Sequence, residues 1–204
     1  MPLYALGVNL SKQIGGQFSN IIDQGKEMQT VLDGFEDGMK GAISKAEGEA
    51  ILSSHGMALN DMLQERAGNV VNKQKEEGEE FVAGFMSANP EAVKTESGLV
   101  YLPMTEGTGT KPSISSTVEV HYHGQLTDDA GTVFDSSVDR GQTISFPLGN
   151  VIKGWQEGLQ LMAEGGKATL VIPSDIAYGD QGSGDTIPPG ATLKFEVELF
   201  KVTG

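Results

Sequence analysis

Residues 146–159 read FPLGNVIKGWQEGL, and the only tryptophan of the chain, Trp155, sits within them. Trp155, Leu159 and Met162 recur at helical spacing, which predicts one short helix over 154–162. The sequence on either side reads as strand. In 117–126, Val118, Val120 and Tyr122 share one face, and Glu119, His121 and His123 the other. Residues 168–172 form a short apolar strand ended by Pro173. Further on, Leu193, Phe195, Val197 and Leu199 alternate with Lys194, Glu196, Glu198 and Phe200, the pattern of a half-buried antiparallel strand. Several short strands around one helix predict an α+β domain in which a curved antiparallel sheet wraps a short helix.

The first half of the chain follows helical spacing instead. Leu3, Leu6, Leu10, Ile14, Phe18, Ile21 and Ile22 form one apolar stripe over 3–22. A second short segment, 28–39, places Val31, Leu32, Phe35 and Met39 on one face, with Gly38 and Gly41 as punctuation. Ser44-Lys45-Ala46-Glu47 matches a capping box. No proline interrupts from there to Ala88, and Asn89-Pro90 stops the helix. Such a helix is roughly 65 Å long. Its stretch 72–80 is polar apart from Gly78, which predicts a solvent bridge between two packed ends. Gly48, Gly56, Gly68, Gly78 and Gly84 each cost about 1 kcal/mol against alanine, so mobility is expected unless the helix is packed. About 60 residues of short helices bury their stripes poorly, and dimerisation is the natural remedy. A self-contained helical hairpin is the alternative.

The chain has 204 residues and a net charge of -14. Both halves are acidic: residues 1–95 hold 8 basic and 14 acidic side chains, and residues 96–204 hold 6 and 14. With no basic patch, nucleic acid and anionic lipid are poor partners. The absence of cysteine excludes disulfide and thiol chemistry. No apolar run approaches membrane-spanning length. The opening MPLYALGVNLSKQ lacks the features of a secretory signal, so the expected location is cytoplasmic, with a periplasmic or exported mature form as the alternative.

Reactive groups are scarce. His121 and His123 share a strand face but have no third ligand nearby, so they are expected to be partly solvated surface histidines, and no metal is expected. His55 reads as polar surface. Ser136 and Ser137 follow Phe134-Asp135 without a nucleophile elbow and are expected as turn serines bonded locally. Asp128-Asp129-Ala130-Gly131 reads as a hairpin turn. The remaining chemistry lies in rings and aliphatic side chains, which suits a site that binds something apolar and acts through environment.

The segments VHYHGQL (120–126), VFDSSVDRG (133–141), FPLGNVIKGWQEGL (146–159) and AYGDQGSGDTIPPGATLKFEVELFKV (177–202) resemble, in order and spacing, the FKBP-type peptidyl-prolyl cis-trans isomerases. The first half is similar in layout to the dimerisation region and long connecting helix of the macrophage-infectivity-potentiator (Mip) subgroup. The resemblance implies a helical dimerisation region (1–43), a connecting helix (44–88), a linker (89–94) and an FKBP-type isomerase domain (95–204). It places Tyr122, Phe134, Asp135, Phe146, Val151, Ile152, Trp155, Tyr178, Ile187 and Phe195 on the family's pocket positions. Trp155 would be the floor of the pocket. The Ile152 amide and Tyr178 hydroxyl would donate to substrate carbonyls. Asp135, braced by Arg140, would sit beside the twisting imide. Tyr122, Phe134, Asp135 and Tyr178 are the implied catalytic side chains, and Ile144 and Ala177 join the implied substrate-binding set.

The implied activity is X-Pro isomerisation in folding proteins without a cofactor. The implied partners are proline-containing unfolded or partly folded clients, macrolide inhibitors and a second copy of the chain, in a V-shaped homodimer whose cleft holds the client. A client-holding chaperone, or a scaffold that binds proline segments without turnover, is the alternative.

Overall fold

A computed structural model of the chain describes residues 4–5, 8–9, 21–23 and 25–204. Of the stripe expected over 3–22, only Ile21 and Ile22 are among them; Leu3, Leu6, Leu10, Ile14 and Phe18 lie outside the described residues. Contacts group the chain into two compact units, Met1–Val70 and Val71–Gly204.

In the first unit, helix α1 spans Lys26–Lys40. The Asp23 carboxylate accepts from the amides of Gly25 and Lys26 at 2.9 and 3.1 Å, and the Glu27 carboxylate accepts in return from the Asp23 amide at 2.9 Å. This reciprocal closure occupies amides that a helix start leaves open. The helix ends at Gly41, whose φ of 67° gives the left-handed turn that glycine adopts without strain. None of its side chains is buried. Helix α2, Lys45–Ala88, opens on the expected capping box: the Ser44 amide donates to the Glu47 carboxylate at 2.9 Å, and the Glu47 amide to the Ser44 hydroxyl at 3.3 Å. Arg66 of α2 clasps Glu27 of α1 with two hydrogen bonds, 2.6 and 2.9 Å, and also donates to the Ile21 carbonyl at 3.2 Å.

The second unit holds the sheet: β1 (Val93–Lys94), β2 (Val100–Thr105), β3 (Thr117–Leu126), β4 (Val133–Ser136), β5 (Ile144–Pro147), β6 (Lys167–Ile172) and β7 (Leu193–Thr203). The order is β1-β2-β6-β7-β3-β4, with β5 also paired to β3, and the pairings are antiparallel. Both alternations read from sequence hold: Val118, Val120 and Tyr122 of β3, and Leu193, Phe195, Val197 and Leu199 of β7, are buried. They pack with Leu170 and Ile172 of β6 against helix α3, Lys153–Leu161. Two glycines let α3 lie this close. A methyl group at Gly154 would come within 2.3 Å of the Ile172 side chain, and one at Gly158 within 2.8 Å of Leu170. Their cost in helix propensity secures the position of Trp155 between them.

The other face of the sheet is covered too. Val100 of β2 and Val171 of β6 pack with Val82 and Ala92, flanked by Phe81, Phe85 and Met86 from the end of α2. This explains why β6 is buried along its length rather than alternating. The solvent bridge expected over 72–80 needs correction. Gly78 is buried against Thr192, whose Oγ1 would lie 2.1 Å from an added methyl group, and Lys75 forms ion pairs with Asp175 and Asp180. Hydropathy could not reveal this packing, because a glycine and a lysine mediate it.

Candidate functional site: a ring-walled cavity above Trp155

Helix α3 delivers Trp155 from below, and β3, β4, β5 and β7 each add a ring around it. Trp155 meets Tyr122 edge-on at 5.3 Å between centroids, Phe195 edge-on at 5.1 Å and Phe146 tilted at 5.5 Å, while Phe134 stands edge-on to Phe195 at 5.5 Å. Edge-to-face contacts of this kind hold rings in fixed orientations. Gly124 makes room for them, since a methyl group there would lie 2.7 Å from the Phe195 ring and 2.9 Å from that of Phe134.

These rings enclose a cavity of about 340 Å³, lined by Tyr122, Phe134, Asp135, Ile144, Phe146, Asn150, Val151, Ile152, Trp155, Tyr178 and Phe195. Ten of the thirteen expected site residues therefore meet at one place. The other three do not line the cavity. Arg140 stands behind Asp135 and Tyr122 and bonds both. Ala177 packs on the core from the segment that carries Tyr178, and Ile187 is a buried core residue whose backbone bridges Ser183. Asn150 was missed; it occupies the turn between β5 and α3, and no pattern in the sequence marks it.

The polar wall of the cavity is one hydrogen-bonded triad. The Tyr122 hydroxyl donates to the Asp135 carboxylate and accepts from the Arg140 guanidinium at 2.9 Å, while Arg140 also donates to Asp135. Burial disfavours ionised Asp135, but the hydrogen bonds from Tyr122 and Arg140 and the guanidinium charge outweigh it, so its pKa lies below the ordinary value. Burial raises the pKa of Tyr122, with the Asp135 hydrogen bond adding to the effect. Burial and then the Asp135 charge raise that of Tyr178. At neutral pH the wall is thus one carboxylate, one guanidinium and two neutral phenols. Among the described residues, the Ile152 amide and the Tyr178 hydroxyl make no hydrogen bond, and the buried indole nitrogen of Trp155 has no partner. The cavity therefore offers donors to an incoming carbonyl but no nucleophile with an activating base.

Ser136 and Ser137 require a second correction. Ser137 lies in the expected turn, but Ser136 ends β4, and both are buried and tie this segment to β3: Ser137 Oγ accepts from the Tyr122 amide at 2.8 Å and lies 3.0 Å from His121 Nδ1, while Ser136 Oγ lies 2.9 Å from His123 Nδ1. Each histidine thus uses one ring nitrogen on a serine, and His121 packs edge-on against Phe200 at 5.5 Å. Among the described residues, no group of three or more His, Cys, Asp or Glu side chains could hold a metal ion. The 128–131 segment turns as expected, with the Gly131 amide donating to the Asp128 carbonyl at 2.9 Å.

Comparison with known proteins agrees along the whole chain. Residues 108–200 match the model of the FKBP-type peptidyl-prolyl cis-trans isomerase family, and residues 2–102 match that of the domain amino terminal to FKBP-type peptidyl-prolyl isomerase. A probable FKBP-type peptidyl-prolyl cis-trans isomerase of Haemophilus influenzae is 39% identical, covering 98% of this chain and 83% of that protein. The outer membrane protein MIP of Legionella longbeachae is 36% identical, covering 98% and 83%. The crystal structure of FkpA from Escherichia coli superposes with a TM-score of 0.73 at 33% identity, covering 99% of this chain and 95% of that one. This chain belongs to the FKBP-type peptidyl-prolyl cis-trans isomerases, in the subgroup of FkpA and Mip.

Proposed function

We propose that the isomerase activity of this family is carried here by the cavity above Trp155. The observation behind the proposal is the combination of a ring-lined apolar volume with two unused donors and one braced carboxylate at its rim. Rotation about an X-Pro bond meets a barrier of about 18–20 kcal/mol because amide resonance must be broken. Water stabilises the polar, resonant ground state, so transfer of the imide into the cavity lowers the cost of twisting. In this reading the Ile152 amide and Tyr178 hydroxyl hold the substrate carbonyls, and fixed donors that favour the twisted form over the planar one accelerate the step. Asp135, kept ionised by Tyr122 and Arg140, faces the imide as the peptide bond loses its planarity. Bulk around the proline ring falls to Phe134, Phe146, Val151 and Phe195, and the same apolar surface suits a macrolide inhibitor.

The first unit supports a second role on the same polypeptide. Val31, Leu32, Phe35, Met39, Ile51, Leu52, Met57 and Leu59 are exposed, and Ile22, Glu27, Thr30, Val31, Leu59, Met62 and Leu63 line a largely apolar cavity of about 380 Å³. Apolar surface of this kind marks interaction sites. We assign it to dimerisation through residues 1–43 and to holding of partly folded clients, with the connecting helix over 44–88, the linker over 89–94 and the isomerase domain over 95–204. A cytoplasmic location finds no support among the relatives; the Legionella longbeachae protein named outer membrane protein MIP favours the exported form.

A protease-coupled proline-peptide assay, run beside a client-aggregation assay, tests the catalytic reading. Asp135→Ala is expected to lower kcat/KM while leaving aggregation suppression intact. An unchanged kcat/KM in that variant would remove Asp135 from the mechanism. If wild type showed only the uncatalysed rate while still suppressing aggregation, the chain would be a holding chaperone.

A further inference from the structure

Tyr178 differs from the other rings of the cavity in how it is held. Tyr122, Phe134, Phe146, Trp155 and Phe195 fix one another through ring contacts. Among the described residues, Tyr178 shares no ring pair and its hydroxyl makes no hydrogen bond, and the residue is 39% exposed. Its aim into the cavity therefore depends on its backbone. That backbone lies between two short 3-10 turns, Ser174–Ile176 and Gly179–Gln181, each too short to be rigid alone.

Both turns are gripped from the same point on α2. Lys75 Nζ lies 3.0 Å from Asp175 Oδ1 and 2.7 Å from Asp180 Oδ1, so one ammonium bridges carboxylates three residues before Tyr178 and two residues after it. Two contacts set the distance from which Lys75 reaches. The Gly78 backbone lies so close to Thr192 that a methyl group would collide with the Thr192 hydroxyl. Gly190, whose amide donates to the Gly179 carbonyl at 3.0 Å, has Val71 O where a methyl group would stand, at 2.7 Å. Residues 71–78 of α2 thus form a rail along the segment that carries Tyr178.

We propose that Lys75 is a positioning residue for the isomerase reaction, holding Tyr178 in its donor position by bridging Asp175 and Asp180. The proposal rests on the reading of Tyr178 as a substrate donor. Alignment of a donor with a reacting carbonyl is sensitive to displacements of about 1 Å, so a loose turn costs activity without damaging the core. The bridge is partly solvated and is screened by salt, which makes its contribution dependent on ionic strength.

The test uses the full chain as wild type, Lys75→Met, Lys75→Arg, Tyr178→Phe and the Lys75→Met/Tyr178→Phe double variant, with near-UV circular dichroism to confirm native folding. Lys75→Met is expected to lower kcat/KM by about threefold, mainly through KM, and Lys75→Arg to restore most of it, since a guanidinium keeps the charge and its forked donors can reach both carboxylates. Raising salt from about 0.05 to 1 M should bring wild type down towards Lys75→Met and leave the variant unmoved. In the double variant the Lys75 effect should vanish, because it acts through the Tyr178 hydroxyl. Additive losses would overturn the proposal, as would full activity of Lys75→Met beside a weakened Tyr178→Phe; in the latter case the Tyr178 reading survives alone. Full activity of Tyr178→Phe would instead remove the donor role, and the positioning role with it.

Discussion

Asp135 carries the electrostatics of the cavity, and its partners fix the sign of its pH dependence. Tyr122 and Arg140 hold its pKa below the ordinary carboxylate value of about 3.9, so the stabilisation from this triad is complete at neutral pH and is lost as pH falls through the lowered value. Tyr122 and Tyr178 are shifted above the phenolic value of about 10 and stay neutral well into the alkaline range. No cavity side chain therefore changes charge between about pH 5 and pH 9, and kcat/KM should be flat across that interval. A bell-shaped profile centred there would indicate proton transfer by a titrating side chain and contradict environment-driven rotation. Asp135→Ala removes a charged acceptor from the Tyr122 hydroxyl and should lower kcat/KM by about tenfold. Gly124→Ala tests the rings instead. Its methyl group displaces Phe195 and Phe134, so the ligand response of Trp155 fluorescence should weaken even with the triad intact.

At the scale of elements, α2 carries two kinds of glycine. Gly84 is exposed, with nothing within 4 Å of an added methyl group, so Gly84→Ala should stabilise by about 0.5–1 kcal/mol. Gly78 meets Thr192, and Gly78→Ala should destabilise by about 1–3 kcal/mol through overpacking. Urea denaturation of the two variants decides; equal shifts would mean that the Gly78 contact does not persist in solution. The sequence treats these glycines alike, since the difference lies in a threonine more than 100 residues away. For the same reason β3, β6, β7 and α3 were legible from alternation and spacing, while the short strands β1, β2, β4 and β5 and the role of the polar run 72–80 were not. Hydropathy reports burial by apolar side chains, and here contact is made through backbone and an ammonium group. The cavity was legible because its rings stand in ordered motifs; Asn150 and the buried serines 136 and 137 were not, because polar residues in turns look alike whether solvated or bonded. A further ion pair, Glu27 with Arg66, fixes α1 on α2 within the first unit. Arg66 and the Asp23 amide hold the Glu27 pKa at about 2, against 4.5. Stability from that pair should be present above about pH 4.5 and fade as pH falls towards 2, and Glu27→Gln should remove this acid sensitivity from the helical melting curve.

The molecule as a whole joins a compact catalytic unit to a helical unit that leaves its apolar side chains exposed. Val31, Leu32 and Phe35 of α1 are about half exposed, and Met39 is 72% exposed. Burying a side chain of this size contributes about 1.5–3 kcal/mol, so covering four of them on each of two chains amounts to a substantial association energy before entropy is subtracted. A second copy presents the same surface, and a two-fold arrangement covers both at once. In the proposed dimer, two isomerase domains on one assembly would act on a single client, and the second site would gain effective concentration once the first has engaged. Light scattering on the full chain should give twice the chain mass at micromolar concentration. Leu32→Glu with Phe35→Glu should return it to a single chain, because two carboxylates cannot be buried face to face. That variant should keep wild-type kcat/KM on a short proline peptide, since neither residue lines the cavity, while losing most of its effect on aggregation and on refolding of a large client. A wild-type chain that scatters as a monomer would refute dimerisation. A monomeric variant with undiminished action on large clients would separate client holding from assembly and assign it to the catalytic unit alone.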